Sequence, residues 1–428
     1  MNLKKELKPI LLGLFLFLFL YFFPKPDRVL SGIREGVLLL HWYIKEHTIF
    51  CLIPAFYIAG AIGTFLSKES ILKYLGPEAP KIHAYLIASV AGTVLAVCSC
   101  TVLPLFAGLY LQGAGIGPAT TFLYSGPAIN VLAIVLTTKI LGTKIGFFRA
   151  VGAISMSLII GLLMHFIFKK REKARLANIP ITSSYIQGPP LKISTTFLAT
   201  LIGILILVTW EGREGISEVI YNSKWILTSL LVFFLFLELI FFFKINFWYL
   251  GILGILVSFI QLLIQNKEIS FLVGTLGISY LAYQRGGITR EWFENTYILA
   301  RQIFPFLFLG IFISGFLFGF KSEGLIPPFY IEILLGGEDF FTHLLASFIS
   351  ALMYFATITE VPIIQGLKNA GMNWGPALSM LLAGPAVSLP SLLALKKIMG
   401  EVKTLAFLFL TVLFSALFGY FYQIFIIN

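Results

Sequence analysis

Two cysteines one residue apart, in the run Cys98-Ser99-Cys100-Thr101, stand just ahead of Pro104 in an otherwise apolar stretch. Thiolates are soft donors, so such a pair suits a thiophilic species such as trivalent arsenic or a soft metal ion, and not sodium or magnesium. On a regular helix, residues two apart point about 200° away from each other. Both thiols can therefore face one ligand only where the helix is unwound, which a nearby proline permits. The competing reading treats both as small apolar fillers, the usual role of a buried cysteine.

Further along the chain, Thr359-Glu360-Val361-Pro362 repeats the pattern with an acid in place of the thiols. A carboxylate at membrane depth is costly, and ion or proton coupling is the usual reason for one; a structural acid at a broken helix is the alternative. Glu238, flanked by leucines, is a second such acid. Asn130 in Gly126-Pro127-Ala128-Ile129-Asn130 and Ser388 in Gly384-Pro385-Ala386-Val387-Ser388 hold equivalent places and can donate to a substrate or to freed carbonyls. His83 and His343 each begin an apolar run, which places them at an interface.

These residues sit inside an internal repeat. Thr101–Lys144 aligns without gaps on Thr359–Val402 at an offset of 258, with 15 of 44 positions identical. The identities are mainly conformational: Pro104/Pro362, Gly108/Gly366, Gly113/Gly371, Gly117/Gly375, Pro118/Pro376, Gly126/Gly384, Pro127/Pro385 and Gly142/Gly400. A proline inside a helix leaves the carbonyl four residues earlier without its donor, so each copy is expected to hold two broken helices, at Pro104 and Pro127 and at Pro362 and Pro385. Unpaired backbone in a bilayer survives only where it is buried in protein or lines a polar cavity. Matched interruptions in two halves are the sequence pointer to a transporter's central site.

The elements that must position these groups are membrane helices. Of 428 residues, 58% are hydrophobic and 12% charged, a balance that leaves a soluble fold without a polar coat. Apolar runs fall near 9–23, 48–66, 82–109, 117–138, 145–168, 193–210, 225–243, 246–265, 298–320, 341–367, 375–395 and 403–426. The fold class is therefore all-α, a polytopic membrane protein of roughly ten to twelve transmembrane helices built on two repeats. Residues 30–44 read as an interfacial helix, and the Pro24-Lys25-Pro26-Asp27 sequence marks 9–23 as a retained first span. The domain reading is 1–45, a first span with that interfacial helix; 46–168, the first repeat; 169–192, a basic cytoplasmic linker; 193–297, intervening helices; and 298–428, the second repeat.

The net charge of +11 gathers in short connections such as Lys169, Lys170, Arg171, Lys173 and Arg175, as retention of cytoplasmic loops requires. Placing both this run and Lys4, Lys5 and Lys8 in the cytoplasm needs an even number of crossings, whereas five apolar runs lie between them. Either 30–44 also crosses or one arm of the repeat is re-entrant. If the short apolar run 269–283 does not cross, the repeats point oppositely, which is the orientation expected here. No nucleotide-binding glycine loop is present, and the charge lacks the aromatic-studded basic face of a nucleic-acid binder.

The motifs Cys-Ser-Cys-Thr-Val-Leu-Pro-Leu, Gly117-Pro118 and Ser-Gly-Pro-Ala-Ile-Asn, with their echoes Thr-Glu-Val-Pro and Ala-Gly-Pro-Ala-Val-Ser, resemble the permease family that includes the organoarsenical efflux permeases and the YraQ-like proteins. The likeness covers roughly residues 45–425. It implies a bacterial-type plasma-membrane transporter, in its best-known members one that extrudes trivalent organoarsenicals. The family motif falls on Cys98, Ser99, Cys100, Pro104, Gly126, Pro127, Asn130, Glu360 and Pro362, and the repeat adds Thr101, Thr359, Gly384, Pro385 and Ser388 as binding candidates. The expected protein is a secondary transporter and not an enzyme, coupled to protons through Glu360. Alternatives are a soft-metal or sulfur-species transporter and an intramembrane thiol oxidoreductase. Its expected partners are the lipid bilayer and a small-molecule substrate, with no cofactor, no resident metal and no nucleic acid; a homo-oligomer is compatible with the sequence.

Overall fold

The computed structural model describes residues 26–65, 74–76, 79–95, 99–177, 191–210, 216–322, 324–325, 334–355, 360–369 and 371–427. Every regular element among them is helical. α1 (Pro26–Tyr43) runs through a π-helical stretch, Ile44–Leu52, into α2 (Ile53–Phe65). The first repeat comprises α3 (Lys81–Leu95), α4 (Ser99–Leu111), α5 (Ile116–Ala128), α6 (Val131–Ile140) and α7 (Thr143–Ala177). Then follow α8 (Leu191–Val208), α9 (Ile216–Phe241), α10 (Phe247–Ile264), α11 (Lys267–Arg285) and α12 (Gly287–Phe318). The second repeat holds α13 (Phe340–Leu352), α14 (Glu360–Asn369), α15 (Trp374–Ala383), α16 (Leu389–Met399) and α17 (Glu401–Tyr422).

Among the described residues six helices are long and apolar enough to cross a membrane, or up to seven when α5 and α6, bent by 43° at their junction, count as one span. The 258-residue offset carries over into helix boundaries. α5, α6 and α7 begin at 116, 131 and 143, and α15, α16 and α17 begin at 374, 389 and 401.

The packing repeats as well. A Cβ on Gly117 would meet Tyr85, His165 and Gly161, and one on Gly375 would meet His343, Gln423 and Gly419, which are the same positions displaced by the offset. Small residues therefore bring α5 against α3 and α7, and α15 against α13 and α17, at backbone-to-backbone range. Every residue of α5 is buried, as is α15 from Gly375 to Ala383, so these two apolar helices form the centre of the molecule.

Neighbouring contacts fix the chain direction. The N–H of Gly115 bonds the carbonyl of Leu75 at 2.8 Å, so the chain that enters along α3 has returned along α4 before α5 starts. In the second copy, Asn373 closes the matching mouth by donating to Gly336 at 3.0 Å. Each repeat thus opens with a re-entrant hairpin, one of the two outcomes that the charge count demanded.

Arg175, near the end of α7, donates to the carbonyls of Tyr110 and Ala114 at 2.7 and 2.9 Å, so α5 begins on the side where α7 ends. Glu172 on that same turn pairs with Lys403 at the start of α17. α17 finishes on the opposite side, where Gln423 accepts from the N–H of Gly375 at 2.9 Å and α15 begins. The two copies are therefore inverted.

Several expectations are corrected. Residues 30–44 do not stand apart as a separate helix: they form the first half of one helical run, 27–65, long and apolar enough to cross a membrane and largely buried. Glu35 on that run is buried because its carboxylate accepts from the N–H groups of Phe320, Lys321 and Ser322 and from the Ser322 hydroxyl, closing the end of α12. Residues 269–283 belong to α11, which returns alongside α10: Asn266 caps its start, and Arg285 at its end bonds the carbonyl of Lys244 at 3.1 Å. The inversion follows from the opposed starts of α5 and α15 and does not depend on whether 269–283 crosses. The basic run 169–175 is helical, the last turns of α7. His343 is fully buried, while His83 is exposed.

Candidate functional site

Pro127 and Pro385 sit at the breaks between α5 and α6 and between α15 and α16, as expected, whereas Pro104 does not break its helix. α4 runs unbroken through Pro104, Pro127 occupies the last turn of α5, and Pro362 lies in the first turn of α14, where no donor is required. α15 ends at Ala383, directly before Gly384 and Pro385. After these breaks the helices restart at capping residues. Asn130 accepts from the N–H of Ala133 at 3.4 Å, and Ser388 forms a reciprocal capping box with Ser391. Both polar side chains thus satisfy orphan donors at a helix N-terminus.

Of the other sequence-derived candidates, Thr101 is buried in α4 and Gly126 and Pro127 are buried in α5. Cys98 and Thr359 lie outside the described residues; the backbone of Ser99 and Cys100 opens α4, their side chains again lying outside the description. Cys51, in the π-helical stretch, is buried. No cluster of His, Cys, Asp or Glu suited to a metal ion occurs among the described residues.

The two copies exchange arms at the centre: α4 packs against α16, and α14 against α6. At the second of these crossings stands a charged pair that the sequence reading half missed. Arg149 on α7 donates through Nη2 to Oε2 of Glu360 at 2.9 Å, with side-chain exposures of 0% and 2%. Its Nη1 donates to the Thr137 hydroxyl on α6 at 2.8 Å. Arg149 Nε and Glu360 Oε1 are buried and have no hydrogen-bond partner among the described residues. The signal for Arg149 was present, a lone arginine in the apolar run 145–168, which at membrane depth is a functional hypothesis by default.

Taking two such charges out of water costs several kcal/mol per ion, and mutual attraction repays this only with good geometry and further hydrogen bonds. A second group, on the side where α7 ends, is less buried. There Tyr110 donates to Glu172 at 2.9 Å, Lys403 reaches both, and the Arg175 guanidinium lies 3.8 Å over the Tyr110 ring. It ties the mouth of the first hairpin to the second copy. An apolar cavity of about 150 Å³ lies between α2, α3, α4, α5 and α8, lined by Ile62, Ala88, Leu105, Pro118, Phe122 and Leu198 among others, and it includes none of the candidate site residues.

Inverted helical repeats with broken spans and a charged pair enclosed where they cross define a multi-pass membrane protein of the permease class. The chain belongs to the predicted permease family, which matches residues 34–424. It is 39% identical over 381 residues to a UPF0718 protein of Methanocaldococcus jannaschii, covering 88% of this chain and 92% of that protein. Shorter likenesses link it to UPF0718 protein YcgR of Bacillus subtilis, 27% identical across 27% of this chain and 39% of that one. UPF0718 protein YraQ of Escherichia coli is 50% identical over 46 residues, 11% of this chain and 13% of its own. No solved structure matches.

Proposed function

We propose that the protein is a secondary transporter of a bacterial-type plasma membrane that extrudes a small thiophilic compound, a trivalent organoarsenical foremost, through a site where the arms of the two repeats cross. The observation that carries this reading is the buried Arg149–Glu360 pair between α7 and α14. A charge pair enclosed between inverted repeats lies where alternating access needs its contacts, at an interface that changes as one repeat rocks against the other. Membership of the permease family favours transport over catalysis. Cys98 and Cys100 supply the soft donors, and Glu360 the coupling to protons.

The test is uptake into inside-out vesicles containing the protein, with and without an imposed proton gradient, across a panel of trivalent methyl- and phenylarsenicals, soft metal ions and sulfur species. Accumulation of organoarsenicals above control vesicles supports the reading. Transport confined to compounds without affinity for thiols defeats it.

A further inference from the structure

The inverted repeat supplies an internal control for the Arg149–Glu360 pair. At the offset of 258, the counterpart of Arg149 is Phe407, that of Glu360 is Val102 and that of Thr137 is Leu395. All three are buried and apolar. The same architecture is thus filled at one crossing by hydrocarbon and at the other by an ion pair with a hydroxyl. The twin crossing is built without charges.

The geometry of the pair is also incomplete. An arginine edge and a carboxylate normally meet in two parallel hydrogen bonds. Here only Nη2 and Oε2 meet, and Nε and Oε1 are left as a buried donor and a buried acceptor on the two partners. A group that accepts one hydrogen bond and donates another satisfies both at once. A hydroxyl does this; a carboxylate ion supplies only acceptors and meets repulsion from Glu360, and an ammonium supplies only donors and meets repulsion from Arg149.

We infer that Arg149 Nε and Glu360 Oε1 form a polar subsite for a small, uncharged ligand that carries a hydroxyl group, separate from any sulfur ligation by the cysteines. This rests on the transporter reading and adds that the cargo binds in its hydroxylated form. Arg149 donates to the ligand oxygen, Glu360 accepts from its O–H, and Thr137 holds the guanidinium in place through Nη1. Such a subsite rejects thiophilic compounds without a hydroxyl, because they leave the buried donor and acceptor unmet.

The experiment measures equilibrium binding to the purified full-length protein in lipid nanodiscs with three probes: methylarsonous acid, thiophilic and hydroxylated; methylmercury chloride, thiophilic without hydroxyl; and boric acid, hydroxylated and not thiophilic. The variant is the double substitution Arg149→Leu with Glu360→Val, which copies the apolar filling of the twin crossing and removes both charges together, a change that buried ion pairs often tolerate. Its melting temperature and monodispersity verify folding, and Arg149→Lys, which keeps the charge and lacks the Nε donor, serves as the second variant.

The expected result is that both variants weaken methylarsonous acid binding at least tenfold and leave methylmercury binding within about twofold, with any boric acid binding lost. Equal loss of both thiophilic probes, or loss of neither, overturns the subsite. So does wild-type protein that binds neither methylarsonous nor boric acid. Wild-type protein that binds boric acid through the pair and no thiophilic probe keeps the subsite and removes the organoarsenical reading.

Discussion

Tyr124 donates its hydroxyl to the backbone carbonyl of Leu382 at 3.0 Å, and Leu382 is the residue that occupies the position of Tyr124 in the second repeat. A contact between a position and its own symmetry mate can occur only on the axis that relates the copies. The closing turns of α5 and α15 therefore meet on that axis, with Met156 of α7 also within reach of the tyrosine hydroxyl, at 3.1 Å.

Removing that bond tests how firmly the halves are joined. Tyr124→Phe should lower stability by roughly 1 kcal/mol, since hydrogen bonds between membrane helices contribute about 0.6 kcal/mol on average and at most about 1.7 kcal/mol. Reversible unfolding in mixed detergent micelles reads this directly. A change below detection would mean that this bond contributes nothing to joining the copies.

Breaking the central ion pair from one side should be far more damaging than removing it whole. Arg149→Ala or Glu360→Ala leaves one buried charge unpaired and should each cost about 3–5 kcal/mol. The double alanine variant should lose well under the sum, because the two residues share one interaction. Additive losses in the same unfolding assay would show that each charge answers to some other partner.

Proton coupling separates the two buried acids. Glu360→Gln should abolish the dependence of uptake on an imposed proton gradient, while Glu238→Gln, between α8 and α9 and away from the crossing of the repeats, should leave it intact. Both Glu238 oxygens lack a hydrogen-bond partner among the described residues, so the opposite outcome would transfer the coupling role to Glu238.

The cysteines give a chemical test. Cys98→Ser and Cys100→Ser should each weaken binding of a trivalent organoarsenical, since oxygen is a poor donor to soft centres. The double variant should lose less than the two single losses combined, because either change already breaks a bidentate contact. Cys51→Ser, in the π-helical stretch, should have little effect. Unaltered export by the Cys98/Cys100 double variant would exclude sulfur ligation.

The glycines that bring the helices together offer a symmetric check. A Cβ on Gly161 would collide with the Thr121 hydroxyl and the Gly117 carbonyl, and one on Gly419 with the Ser379 hydroxyl and the Gly375 carbonyl. Alanine at either place should cost about 1–3 kcal/mol, a typical penalty for overpacking. Matched losses in the yield of folded protein are expected because the two environments correspond residue for residue.

The parts of this fold legible in the sequence were those written in residues with one physical meaning. Gly117/Gly375 and Pro118/Pro376 specify close approach and a helix start, and they revealed the duplication before any contact was known. Pro127 and Pro385 marked the breaks after α5 and α15, whereas Pro104 marked none, because a proline frees a carbonyl without always stopping a helix; Asn130 and Ser388 begin the helices that follow. Arg149 was overlooked because attention to the repeat favours residues found twice, whereas its counterpart is Phe407. The re-entrant arms are long and apolar enough to pass for spans, and only the bond from Gly115 to Leu75 shows the chain turning back.

The opposed orientation of the two copies limits how this chain can change length. The first copy starts on the side of Arg175 and the second on the far side, so the helices between them must carry the chain across an odd number of times. The α10–α11 pair, closed on itself by Arg285 and Lys244 and facing outward along much of its apolar surface, makes one round trip. A hairpin of that kind can be gained or lost without disturbing either copy, whereas a single added helix would turn the second copy over and pull Glu360 away from Arg149. Parity, and not distance, governs what can be inserted between the halves.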